Sequence, residues 1–163
     1  MPNLIGMASA YRLFKSAEQL ETLAGDVYRL LALRFANDEM ACNLFRRLAD
    51  EEDQHALRIR LLFAQYRSDP KLFEAPLGDA APDVEALVRE MELVRAGLEA
   101  GKWGLDLDEV QRHLGFLEDR CAEVHAHLLA RGARPEVRKF FEELARQDRE
   151  HQRLLAALAS RAA

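Results

Sequence analysis

Phe45-Arg46-Arg47-Leu48-Ala49-Asp50-Glu51-Glu52-Asp53-Gln54-His55-Ala56-Leu57-Arg58-Ile59-Arg60-Leu61-Leu62 is the stretch on which the reading of this fold turns. Phe45, Leu48, Ile59 and Leu62 recur in helical steps on one face, and Glu52 and His55 occupy the same stripe between them. The pattern returns as Phe141, Leu144, Asp148, His151, Leu155 and Leu158, each 96 positions after its counterpart. Both copies therefore carry a carboxylate three residues before a histidine where the helical period demands core. A charge in a core costs several kcal/mol unless it is paired or metal-bound. Two buried acid–imidazole pairs point to a metal ion.

The repeat continues into the helices that precede these two. Ala17, Leu20, Glu21, Ala24, Val27, Tyr28 and Leu31 correspond to Leu114, Leu117, Glu118, Cys121, Val124, His125 and Leu128, 97 positions later. Helices are predicted over residues 8–36, 38–67, 83–100, 106–131 and 135–161. Asn37 and Asp38 punctuate the first pair, and Asp106 with Glu109 has capping-box spacing. Gly132 is expected as a left-handed cap and Pro135 in a first turn. Ser68-Asp69-Pro70, Pro76, Gly78 and Pro82 break the middle of the chain, and Gly101 and Gly104 bracket Trp103. The expected architecture is all-α in a single domain spanning 1–163. Two antiparallel helical hairpins are joined by a long crossover containing a short extra helix, the topology of ferritin-like four-helix bundles.

Composition agrees. The 163 residues are rich in Ala, Leu, Glu and Arg, good helix formers, and long enough to bury a core. A net charge of −5 without a basic block argues against nucleic acid as partner. No stretch approaches a membrane span, and Arg12, Lys15 and Glu18 interrupt any apolar leader-like run, so a cytoplasmic location is expected. Two cysteines, Cys42 and Cys121, provide neither a disulfide framework nor a thiolate metal site.

On helical wheels Glu21, Glu52, Glu118 and Asp148 face the bundle axis with His55 and His151. Four clustered carboxylates repel unless they take up protons or cations, and two divalent ions balance them. The mixed carboxylate and imidazole set suits iron or manganese and accepts zinc, whereas imidazoles are poor ligands for calcium or magnesium. Tyr28 and His125 lie on the site face; Tyr28 is read as core able to hydrogen-bond a ligand carboxylate, His125 as an outer donor, a further ligand or a core histidine. Cys121 faces inward and reads as a small hydrophobe or a group beside the metal. Glu51, Asp53, Glu142, Glu143 and Glu150 fall off the stripe and read as solvated surface, as do His113 and His127.

Glu21 with Tyr28, Leu48-Ala49-Asp50-Glu51-Glu52 leading to His55, and the matching later elements resemble the rubrerythrin-type members of the ferritin-like superfamily. The resemblance implies that Glu52 and Asp148 bridge two iron ions, that Glu21 and Glu118 are terminal carboxylates, and that His55 and His151 each cap one ion. Three departures stand beside it. Asp148 replaces a glutamate and reaches roughly 1.5 Å less far. Cys121 occupies the place of a further glutamate, and no four-cysteine electron-transfer domain is present in the sequence. The implied function is redox chemistry with hydrogen peroxide or dioxygen, as a peroxidase or ferroxidase, with an external electron donor if it is a reductase; a homodimer is compatible with the broad helix faces. The alternatives are a non-catalytic metal-binding protein and a metal-free helical scaffold that has lost the site.

Overall fold

Apolar residues at steps of three and four, few β-branched side chains and well-placed caps make this chain helical almost throughout. A computed structural model describes residues 4–73, 80–104, 106–132 and 134–162. Five helices follow in order: α1 (Leu4–Arg34), α2 (Glu39–Ser68), α3 (Ala81–Glu99), α4 (Leu107–Leu129) and α5 (Pro135–Ala162), with a 3₁₀ turn at Pro70–Leu72. Among the described residues the only extended pairing is an antiparallel bridge between Phe73 and Gly132. No helix among them is long and apolar enough to cross a membrane.

Local chemistry sets the helix ends. Asp38 caps α2 by accepting from the Ala41 backbone N–H at 3.0 Å. Asp106 caps α4 through the Asp108 N–H at 2.9 Å. Pro135 opens α5, where a missing N–H costs nothing. Pro82, expected to break the chain, instead sits in the first turn of α3 for the same reason. Pro76 and Gly78 lie outside the described residues.

The left-handed cap is found at another glycine. Gly101, with φ of 68°, is the one residue described with positive φ. It closes α3 with the Lys102 N–H on Gly97 O at 2.9 Å and the Gly101 N–H on Leu98 O at 3.0 Å, the paired bonds of a Schellman motif. At Gly132 the requirement is space: a Cβ there would meet Arg138 Cγ at 3.1 Å and Val137 Cγ1 at 3.2 Å. Trp103 packs over Gly97 and against the His113 ring, with centroids 4.9 Å apart, tying the end of α3 to α4.

The helices pack as an all-α bundle. α1 pairs with α2, and α4 with α5, each as an antiparallel hairpin across a short turn. α3 runs back along α1 in the same direction, held by Arg12 on Glu85 at 2.8 Å, Gln19 on Glu92 at 3.2 Å and Arg34 on the Leu98 carbonyl at 3.0 Å. It thereby returns the chain to the end where α2 began. Arg161, at the end of α5, pairs with Asp38 at 3.0 Å and sets α5 antiparallel to α2. Phe45, Leu48, Leu144 and Leu155 are buried at the centre, each contributing roughly 2 kcal/mol by leaving water.

Candidate metal centre

The same stripes carry seven polar or charged side chains into that core. Glu21, Glu52, His55, Glu118, His125, Asp148 and His151 are each at most 5% exposed. They come from α1, α2, α4 and α5, one hairpin facing the other.

Glu52 stands at the middle. Its Oε2 lies 2.9 Å from His55 Nδ1, whose other carboxylate neighbour is Glu21 at 3.5 Å. Its Oε1 lies 2.9 Å from His151 Nδ1, which faces Glu118 at 3.5 Å. Two sets of potential ligands result, Glu21 with Glu52 and His55, and Glu52 with Glu118 and His151. Within each set one ligand atom per residue lies within 4.8 Å of the others, close enough to hold a metal ion. The two imidazole rings stack at 5.8 Å between centroids, inclined by 13°.

Outer partners orient both imidazoles. His55 Nε2 meets Gln147 Oε1 at 3.1 Å, and His151 Nε2 meets Glu51 Oε2 at 2.9 Å. Each is a contact across the α2–α5 interface that leaves Nδ1 facing the centre. Glu51 was expected on the solvated surface; it is half-buried and shared between His151 and Arg47, the latter at 2.7 Å. The stripe rule misses it because the residue beside a stripe can still reach a neighbouring helix. The repeat contains the signal, since Glu51 and Gln147 are themselves 96 positions apart. His113 and His127 are exposed, as expected.

A second reciprocal exchange joins α1 and α4. The Tyr28 hydroxyl donates to Glu118 on α4. His125, the counterpart of Tyr28, faces Glu21 on α1, with Nε2 at 3.3 Å from Oε1. Its Nδ1 lies 2.6 Å from Asp148 Oδ2. Asp148 is thus beside the site and in neither ligand set: the shorter side chain ends on the imidazole that replaces a tyrosine. Cys121 is buried and free, like Cys42. Burial and the surrounding carboxylates push the Cys121 thiol well up, so it stays protonated.

Protons offset charge in this core when no metal is bound. Burial alone would push the three histidines down, but the carboxylates reverse it, raising His55, bringing His125 to about 10 and His151 to about 12. Burial and the nearby Glu118 carboxylate push Glu52 up to about 7. Burial likewise opposes ionisation of Glu21, but His125 and His55 outweigh it and hold that carboxyl well below the usual range. The raised imidazoles and the raised Glu52 carboxyl keep protons among the clustered carboxylates, positive charge of the kind that metal cations would bring.

The residues fit such ions. Glu21 Oε1 and His151 Nδ1 are buried and make no well-aligned hydrogen bond, although His125 Nε2 lies 3.3 Å from the first and Glu52 Oε1 2.9 Å from the second; a cation beside them would complete their coordination. Oxygen and nitrogen donors in this ratio suit iron, manganese or zinc. No family model, curated protein or solved structure matches the chain.

Proposed function

We propose that this chain is a ferritin-like, rubrerythrin-like protein holding two iron ions, or iron with manganese, for redox chemistry with hydrogen peroxide or dioxygen. The observation that carries the reading is the position of Glu52, whose two carboxylate oxygens each face a separate glutamate–histidine pair. One buried carboxylate shared in this way is what a dinuclear centre needs of its bridging ligand. Glu21 with His55, and Glu118 with His151, complete the two ends.

A pair of ferrous ions there would supply the two electrons that split the O–O bond of peroxide, the oxygens leaving as two waters after uptake of two protons. The protein's own part is orientation, dryness and proton supply. Gln147 and Glu51 fix the two rings, and Tyr28 holds the Glu118 carboxylate through its hydroxyl. His125, with Nδ1 at 2.6 Å from Asp148 and Nε2 at 3.3 Å from Glu21, is raised to about 10 by these carboxylates and would serve as a proton store beside the reacting centre. With site residues at most 5% exposed, bulk water is kept out of the reaction. If the protein is a reductase, re-reduction of the ions would need an external electron donor. The two buried free thiols fit a reducing compartment, in keeping with a cytoplasmic protein.

Anaerobic reconstitution with ferrous iron, followed by metal analysis, tests the reading. About two iron atoms per chain and a new visible absorption on adding peroxide are expected. Stable uptake with no response to either oxidant would leave a metal-binding protein without turnover. No uptake at neutral pH would overturn the metal centre and favour the metal-free scaffold.

A further inference from the structure

The helices leave a small void at the end of the bundle where α1 begins. It has about 10 Å³ of free volume. Leu13, Ile59, Val84 and Phe141 are among the apolar side chains facing it, and among the described residues Cys121 and His125 are the only ones lining it with a polar group. His125 joins the void to the site, because its ring also faces Glu21 at 3.3 Å.

The lining decides what such a space accepts. Its free volume suits one molecule about the size of water. A buried water requires two to four polar partners. Here both ring nitrogens of His125 already face carboxylates, Asp148 at 2.6 Å and Glu21 at 3.3 Å. The Cys121 thiol is a weak donor and acceptor. Water or hydrogen peroxide would surrender most of its hydrogen bonds on entering, while dioxygen has none to lose.

One side chain links the void to the surface. Val124 is half-buried and lines both this void and a surface cleft between α3 and α4, whose other walls include Asp83, Arg120 and His127. Among the described residues it is the one side chain common to the two. We propose that the void is a dioxygen-binding cavity, entered past Val124 and opening toward the Glu21 side of the site. This rests on the dinuclear reading for its purpose and names dioxygen as the first oxidant, which two ferrous ions would reduce by two electrons, with two protons, to hydrogen peroxide; occupancy of the cavity itself requires no metal.

The first experiment uses metal-free protein with labelled methyl groups, held under dioxygen pressure in the NMR tube. Paramagnetic broadening should be several-fold greater for Leu13, Ile59 and Val84 than for Leu48 and Leu144, which are fully buried and outside the cavity. Val124→Phe should abolish that preference by closing the entrance, and Ala17→Leu should do so by filling the space from α1, should the first variant fail to fold. Uniform broadening across the core of the unmodified protein would overturn the cavity. In protein loaded with ferrous iron, Val124→Phe should slow oxidation by dioxygen by an order of magnitude while leaving oxidation by peroxide nearly unchanged. Equal slowing of both would overturn dioxygen as the oxidant served. A chain that takes up no iron would remove the dinuclear reading, and the methyl broadening would still decide the cavity on its own.

Discussion

On the Glu21 side of the site, His55 turns its outer nitrogen to the neutral amide of Gln147; on the Glu118 side, His151 turns the same nitrogen to the carboxylate of Glu51. Glu21 is faced by the imidazole of His125, whereas Glu118 accepts from the phenol of Tyr28. Each partner comes from the opposite half of the repeat, so the two hairpins complete one another reciprocally. The plan is duplicated but the chemistry is not. A carboxylate behind an imidazole makes it a better donor to a cation than an amide does. The Glu118 side would therefore hold a metal ion more tightly. The Glu21 side meets the apolar void through His125, whose ring spans Glu21 and Asp148.

The comparison breaks most severely at the residue both sides share. Glu52→Gln should take metal content from about two ions per chain to nearly none, as read by plasma mass spectrometry, because each set loses its common oxygen ligand. Retention of both ions would refute the shared-carboxylate geometry. Glu21→Gln and Glu118→Gln should each cost one ion only, and cobalt titration followed by visible absorption would show which one. If either change removes both ions, the halves are not independent.

A finer test exchanges the outer partners. Glu51→Gln should weaken the tighter ion by about tenfold or more, while Gln147→Glu should strengthen the weaker one by a similar factor, measured by calorimetric titration. Identical affinities in the unmodified protein would remove the asymmetry. Proton counting sharpens the same point. Below the raised position of Glu52, about 7, binding two ions should release at least the protons of His55 and His151, and metal affinity should rise with pH. Release of fewer than two protons per chain, read with an indicator dye, would show that these imidazoles are not ligands.

The smallest effect concerns the metal-free protein. Burial would depress His125, but Asp148 and Glu21 raise it from its ordinary 6.5 to about 10. Its folded form favours the proton, so the stability it contributes is complete below 6.5 and disappears as pH rises through about 10. Tm of the metal-free chain should fall across that window, and His125→Gln should flatten the fall. An unchanged slope in the variant would assign the pH dependence elsewhere.

The repeat of 96 and 97 positions, the helix stripes and the caps at Asp38 and Asp106 were legible in the residues themselves, because period and capping are properties of one helix and its nearest neighbours in sequence. So were the polar residues that those stripes carry inward. Which helix end takes a left-handed glycine was not: Gly101 does so, and Gly132 instead makes room for Val137 and Arg138. Partners across the bundle were equally hidden, since they depend on the rotation and stagger of separate helices. Glu51 reaches His151 from beside its stripe, and Tyr28 reaches Glu118 rather than the glutamate on its own helix. Asp148, one methylene short, ends on His125. Periodicity alone determined which side chains enter the core; only the packing of four helices, to within the length of a methylene, decided which of them meet.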